Sequence, residues 1–266
     1  KKKTSSRQES SSIKPVAHLA GTKNPLVIAH RGAASKAPEN TLAAYDLAWE
    51  LGSDAIEIDL RKTKDSFLVC SHDNNLNRVS SNKKSISSML LSEINEIDIG
   101  SWKSSKFKRE RVPLLSKVLS FIPEGKKVFI EIKGGLKEID ELISIVKKSR
   151  LKIKNCHFLS YVPSNIRRIK KDFPSFKATL NTIPALYNYE IDKIKELIQS
   201  TNSDGISLHI DSSESIKLVK KLKKDENFVI AWTVNDSRFM RKLTKWQADG
   251  IITDYPQKLL KILNKK

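Results

Sequence analysis

Short β-branched runs alternate with amphipathic helical patterns along nearly the whole chain from Leu26 onward, and this alternation restricts the fold more than any other feature. The strand-like runs fall at 26–30, 55–60, 128–133, 157–161, 177–181, 205–210, 228–234 and 250–253. Helical patterns follow them in turn at 40–51, 114–121, 138–148, 164–172, 189–199, 213–224, 237–245 and 257–263. A strand that pairs in parallel with the next needs a long crossover, which a helix supplies, so repeated strand–helix units build a parallel sheet covered by helices. Eight units predict an α/β fold of the (β/α)8 TIM-barrel type, whose active sites gather at the carboxyl ends of the strands. The competing doubly wound sheet lacks support, because no glycine-rich dinucleotide fingerprint is present.

One unit is irregular. Residues 61–113 separate the second strand from its helix, too many for an ordinary loop, so an inserted subdomain is expected over 73–113. It is entered through Phe67-Leu68-Val69-Cys70-Ser71-His72-Asp73, which the turn-prone Lys64-Asp65-Ser66 sets up as a hairpin partner of the second strand. A turn centred on Lys64-Asp65 would place His72 opposite Glu57. The barrel is expected over 24–266, preceded by a disordered Ser- and Lys-rich lead-in over 1–23. The chain opens without methionine, which leans towards an exported or cell-envelope location.

A net charge of +19 favours encounter with anionic partners, among them phosphate esters and anionic membrane surfaces. Much of the excess sits on patterns such as 217–224, where Ile216, Val219 and Leu222 make an apolar stripe and the lysines face outward. No helix-turn-helix cue, zinc-finger cysteine pattern or interleaved aromatic series accompanies the basic runs, so nucleic acid is not an expected partner. The two cysteines, Cys70 and Cys156, lie in apolar runs and suit buried thiols.

The chemistry concentrates at strand ends. In Ala55-Ile56-Glu57-Ile58-Asp59-Leu60, alternation puts Glu57 and Asp59 on one face between buried neighbours. Glu131 and Lys133 repeat the pattern in the third strand. Buried carboxylates need cationic partners, and three of them can hold one Ca²⁺ or Mg²⁺. Arg31 and Lys133 would supply positive charge to a phosphoryl group that the cation also contacts. His30 and His72, with ordinary pKa values near 6.5, can exchange protons at neutral pH.

These residues stand within His30-Arg31-Gly32, Pro38-Glu39-Asn40-Thr41, Glu57-Ile58-Asp59, His72-Asp73, Ile99-Gly100-Ser101-Trp102, Glu131-Ile132-Lys133, Trp232-Thr233-Val234-Asn235 and Asp249-Gly250-Ile251-Ile252-Thr253-Asp254-Tyr255-Pro256. In that order the chain resembles the glycerophosphodiester phosphodiesterase family from about Leu26 to Leu263. The resemblance implies metal-dependent hydrolysis of a small-molecule glycerophosphodiester to glycerol 3-phosphate and an alcohol. It puts the metal ligands on Glu57, Asp59 and Glu131, and the catalytic histidines on His30 and His72. His30 is assigned as base and His72 as acid. Glu39, Trp232 and Asn235 fall beside the substrate pocket, and Asn40 is also read as a helix cap. Activity on lysophospholipids or phosphatidylinositol-type lipids, or a silent anion-binding barrel, are the other readings. The chain departs from the family's pattern in three places. Ser66 replaces a usual turn glycine, Pro113-Leu114-Leu115-Ser116-Lys117 lacks the usual paired glutamates, and Ser160-Tyr161-Val162 replaces Ser-Phe-Asp.

Overall fold

The computed structural model describes residues 24–264; the lead-in over 1–23 lies outside the described residues. Eight strands form the barrel: β1 (Leu26–His30), β2 (Ala55–Lys62), β3 (Lys127–Ile132), β4 (Cys156–Ser160), β5 (Lys177–Thr182), β6 (Ile206–His209), β7 (Val229–Trp232) and β8 (Gly250–Thr253). Each is parallel to the next, and β1 pairs with both β2 and β8, which closes the sheet. The helices that follow these strands are α1 (Leu42–Glu50), α2 (Leu115–Ser120), α3 (Ile139–Lys148), α4 (Pro163–Asp172), α5 (Ile191–Thr201), α6 (Ser213–Lys224), α7 (Ser237–Lys245) and α8 (Pro256–Ile262). The strand–helix alternation of the sequence thus becomes a (β/α)8 barrel, as expected.

Both faces of the sheet are apolar because both are covered. Ile28, Ala55, Phe129, Leu159, Ile230 and Ile252 fill the interior. Val27, Ile56, Ile130, Phe158, Leu208 and Ile251 pack outward in the cluster that also holds the helices' apolar side chains. On α6, Ile216, Val219 and Leu222 are buried together with Leu218, while Lys217, Lys220, Lys221 and Lys224 face solvent. Cys70 and Cys156 are free, buried thiols.

Between β2 and α2 the chain builds a small body of its own. A short strand, Leu68–Cys70, runs antiparallel to β2, and a two-stranded sheet pairs Asn75–Leu76 with Asn82–Ser85. Val69, Leu76, Ile86, Met89, Ile94, Ile99 and Val112 form its separate core.

Two local expectations change. Cys70 lies opposite Leu60 and Leu68 opposite Lys62, one residue away from the register that would set His72 against Glu57. The cause is the turn: Thr63 N–H bonds the Phe67 carbonyl at 2.9 Å, and Ser66 adopts a left-handed φ of 71°, so the loop holds one residue more than a two-residue hairpin. The cap of α1 is Thr41, whose hydroxyl accepts from Ala44 N–H at 3.2 Å, not Asn40. Asn40 instead takes a left-handed φ of 53° and turns inward.

Between β1 and α1 the chain passes close to the first turn of the helix. Gly32 has φ of 85°, and a Cβ there would lie 2.6 Å from the Ala44 carbonyl carbon. Gly32→Ala is therefore expected to destabilise the fold by more than about 1 kcal/mol in urea denaturation. An unchanged midpoint would show that the loop can move aside.

Candidate active site

Strand alternation carries Glu57 and Asp59 to the barrel interior, beside Glu131 from the paired strand β3. Asp59 lies directly opposite Glu131 in the register. All three are buried, and an oxygen of each lies within 4.8 Å of the others. Lys133, one residue past the end of β3, sets its Nζ 3.0 Å from Asp59 Oδ1 and 2.6 Å from Glu131 Oε1. Arg31 approaches from the β1 side: its Nε is 3.0 Å from Asp59 Oδ2, and its backbone N–H donates to Glu57 Oε2 at 3.1 Å.

The electrostatics follow from this crowding. Burial pushes the Glu57 carboxyl well above its usual range, and the charges of Asp59 and Glu131 push it further. Burial acts on Asp59 in the same sense, but Lys133 and Arg31 outweigh it and hold Asp59 ionised. Glu131 rises through burial and the charge of Asp59.

A hard divalent cation fits this donor set. All the facing ligands are carboxylate oxygens, and Asp59 Oδ1 and Glu131 Oε1 are buried without a directional hydrogen bond despite the nearby ammonium. Glu57, Asp59 and Glu131 would hold the ion.

Each histidine rests on an aspartate. His30 Nδ1 is 2.7 Å from Asp254 Oδ1, and His72 Nδ1 is 2.8 Å from Asp73 Oδ1. Burial pushes the Asp254 carboxyl up, but the bond and charge of His30 outweigh it and keep it a carboxylate. An ionised aspartate only accepts, so Nδ1 of His30 donates and Nε2 is left as the basic nitrogen. Burial lowers the His72 pKa, partly offset by Asp59. Arg61 fixes the backbone there, donating from Nε and Nη2 to the His72 carbonyl at 3.0 and 2.6 Å.

The remaining candidates take particular places. Glu39 spends its carboxylate on two arginines: Arg31 Nη1 at 2.8 Å, and Arg78 Nη1 and Nη2 at 2.7 Å each. Asn235 lies behind Asp254, donating to it at 2.6 Å. Trp232 closes the opposite side, edge-on to Tyr161 with ring centroids 5.7 Å apart. A groove of about 540 Å³ runs from Lys133 and His72 along Arg61, Asn74 and Arg78.

Sequence reasoning missed Arg78 and the inward role of Asn40. Asn40 Nδ2 donates to Asp59 at 2.9 Å, while its Oδ1 accepts from Tyr45 Oη at 3.0 Å. Arg78 joins the inserted body to the barrel, because its Nε also donates to Asp73 at 2.8 Å. Its only sequence signal was an arginine five residues beyond His72-Asp73.

Comparison with known proteins gives the family and the fold. The sequence model of the glycerophosphoryl diester phosphodiesterase family matches residues 30–258. The chain belongs to that family. It is 34% identical over 248 residues to a glycerophosphodiester phosphodiesterase of Caldanaerobacter subterraneus subsp. tengcongensis, covering 90% of this chain and 98% of that one. It is 28% identical over 272 residues to a lysophospholipase D of Mus musculus, covering 89% and 85%. Among solved structures, an Oleispira antarctica phosphodiesterase in complex with the product sn-glycerol-3-phosphate superposes with a TM-score of 0.80 at 27% identity, over 91% of this chain and 98% of that one.

Burial pushes Glu39 up, but the hydrogen bond from Arg78 and the charge of Arg31 outweigh it and hold its pKa below the usual value; Asp73 is lowered against burial by His72 and Arg78. Carboxylates with depressed folded values stabilise the fold above their unfolded pKa and lose that contribution as pH falls from there through the lower folded pKa. Arg78→Met is thus expected to cost on the order of 1 kcal/mol at pH 7, a modest figure because the guanidinium is half-exposed. The gap to wild type should shrink as pH falls below about 4 in urea titrations. A gap that persists in acid would mean that Arg78 acts through packing.

Proposed function

We propose that this chain hydrolyses glycerophosphodiesters to sn-glycerol 3-phosphate and an alcohol, with Ca²⁺ or Mg²⁺ as an obligatory cofactor. One observation carries the reading: three buried carboxylates converge at the barrel mouth between two histidine–aspartate pairs and two cations, Arg31 and Lys133. Family membership supports it, as does the similar phosphodiesterase with glycerol 3-phosphate bound.

A phosphodiester anion repels the incoming oxygen, so its charge must be neutralised and its leaving group protonated. The bound cation would supply charge neutralisation at a non-bridging phosphoryl oxygen. Arg31 and Lys133 add fixed positive charge beside it. His30 Nε2 takes the proton from the attacking hydroxyl, and Asp254 stabilises the imidazolium that results. His72 delivers a proton to the oxygen of the departing alcohol, with Asp73 holding its ring. The attacking hydroxyl is water's or the substrate's own neighbouring hydroxyl; the second route passes through a cyclic phosphate that water then opens.

A second reading has a specific observation behind it. Leu186 is 75% exposed after β5, and Tyr161 and Val162 after β4 are also exposed, so an apolar rim stands at the catalytic end of the barrel. That rim suits the acyl chain of a lysophospholipid presented at an anionic membrane surface. Turnover of lysolipids in vesicles that exceeds turnover of soluble diesters would favour it.

Release of glycerol 3-phosphate from a panel of deacylated phospholipids, across several divalent ions, tests the main reading. EDTA should abolish release and Ca²⁺ or Mg²⁺ restore it; activity that survives chelation removes the cation from the scheme. Asp59→Asn should lower activity by at least about 10²-fold without unfolding the barrel, as expected for loss of a metal-ligand charge. For the histidines, His30→Ala should remove the acid limb of the pH–rate profile, where a base becomes protonated. His72→Ala should remove the alkaline limb, with losses of about 10²- to 10⁴-fold. Interchanged limbs would reverse the two roles.

A further inference from the structure

The groove of about 540 Å³ that opens at Lys133 and His72 is lined by polar and charged side chains alone. Its cations are Lys133, Arg61 and Arg78, and its neutral amides are Asn74, Asn75 and Asn77. The carboxylate in it, Asp73, is already committed to His72 Nδ1 and to Arg78 Nε, each at 2.8 Å. Apart from the His72 imidazole, no aromatic ring lines the groove, and no aliphatic side chain does.

The cations differ in what they have left to give. Lys133 lies against Asp59 and Glu131, and Arg78 donates to Glu39 and Asp73. Arg61 has no carboxylate partner among the described residues. Its Nε and Nη2 both donate to the carbonyl oxygen of His72, at 3.0 and 2.6 Å, which leaves Nη1 without an acceptor. A guanidinium carries five N–H donors on a rigid plane, so most of this fork is unspent while the His72 backbone holds it in place. Glu138 lines a smaller recess of about 90 Å³ that Arg61 also borders, but it forms no ion pair with Arg61.

A half-buried, anchored guanidinium with unspent donors suits an oxyanion, because its planar fork matches two oxygens of a phosphate or carboxylate. The same lining suits a quaternary ammonium poorly. That group seeks the face of a Trp, Tyr or Phe ring or an unspent carboxylate, and the groove offers neither.

We propose that Arg61 makes this groove a subsite for a departing alcohol that carries a second oxyanion, so that the preferred substrates are charged on both sides of the scissile bond. The inference rests on the function proposed above, in which His72 protonates that alcohol, and it assigns the alcohol that the site selects. Arg31 and Lys133 serve the phosphoryl group under attack, and Arg61 reads what lies beyond it.

Two pairs of substrates isolate the added charge. Glycerophosphoinositol 4-phosphate differs from glycerophosphoinositol by one phosphate, and glycerophosphoserine from glycerophosphoethanolamine by one carboxylate. With kcat/KM measured by release of glycerol 3-phosphate, wild type should favour the more anionic member of a pair by roughly 10-fold. A gain in the inositol pair identifies a phosphate as the group held, and a gain in the serine pair a carboxylate. Equal turnover within both pairs would overturn the proposal. Arg61→Gln should slow every substrate, because it also frees the His72 carbonyl, but the preference within the pair should vanish; a preference that persists in this variant overturns the proposal. Should Arg61→Gln fail to fold by circular dichroism, Asn74→Asp decides. A carboxylate placed on that exposed side chain of the groove should cut the preference by roughly 2- to 5-fold, and an unchanged preference counts against the subsite. A wild type that releases no glycerol 3-phosphate from any of these diesters removes the proposed function and this inference with it. Release without preference removes the subsite alone.

Discussion

Three carboxylates facing the inside of a closed sheet are the constraint around which the catalytic end of this protein is arranged. Glu57, Asp59 and Glu131 are almost wholly shielded from solvent, and like charges so close raise one another's pKa. The chain answers with Arg31 and Lys133, each reaching Asp59, and with the Asn40 amide on the same carboxylate. Those partners dictate the unusual backbone nearby. Arg31 and Asn40 both take left-handed φ values, 54° and 53°, and thereby turn a backbone N–H towards Glu57 and an amide towards Asp59. The loop between β1 and α1 is shaped by charge compensation as much as by chain connection.

The barrel was legible because its signals are local and repeated. Apolar β-branched runs of the right length, each followed by a helical stripe, specify a covered parallel sheet without reference to distant residues. The acidic trio was legible for the same reason: a period of two, read within one strand, fixes which residues share a face. What escaped the sequence depends on single residues in turns. The hairpin register turned on the backbone conformation of Ser66, which shifted His72 by one position relative to β2. Asn40 followed a helix-cap pattern, yet the buried charge of Asp59 claimed its side chain and left the cap to Thr41. Arg78 was invisible because its partners, Glu39 and Asp73, lie on two separate bodies that only the folded chain brings together.

The two histidines share a design and differ in their supports. Each rests its Nδ1 on an aspartate. Asp254 is held by Asn235 within the barrel, whereas Asp73 is held by Arg78 across the junction with the inserted body. One imidazole thus rests on the barrel alone and the other on its junction with the inserted body.

That difference in support has a consequence for the inserted body. The inserted body folds around its own seven buried apolar residues, Val69 to Val112, and borders the groove that runs from His72 to Arg78. Because that core is separate from the barrel's, its loops can change without disturbing the sheet. That freedom ends at Arg78, because an insert without this guanidinium would lose the bonds that tie the aspartate beneath His72 to Glu39 of the barrel.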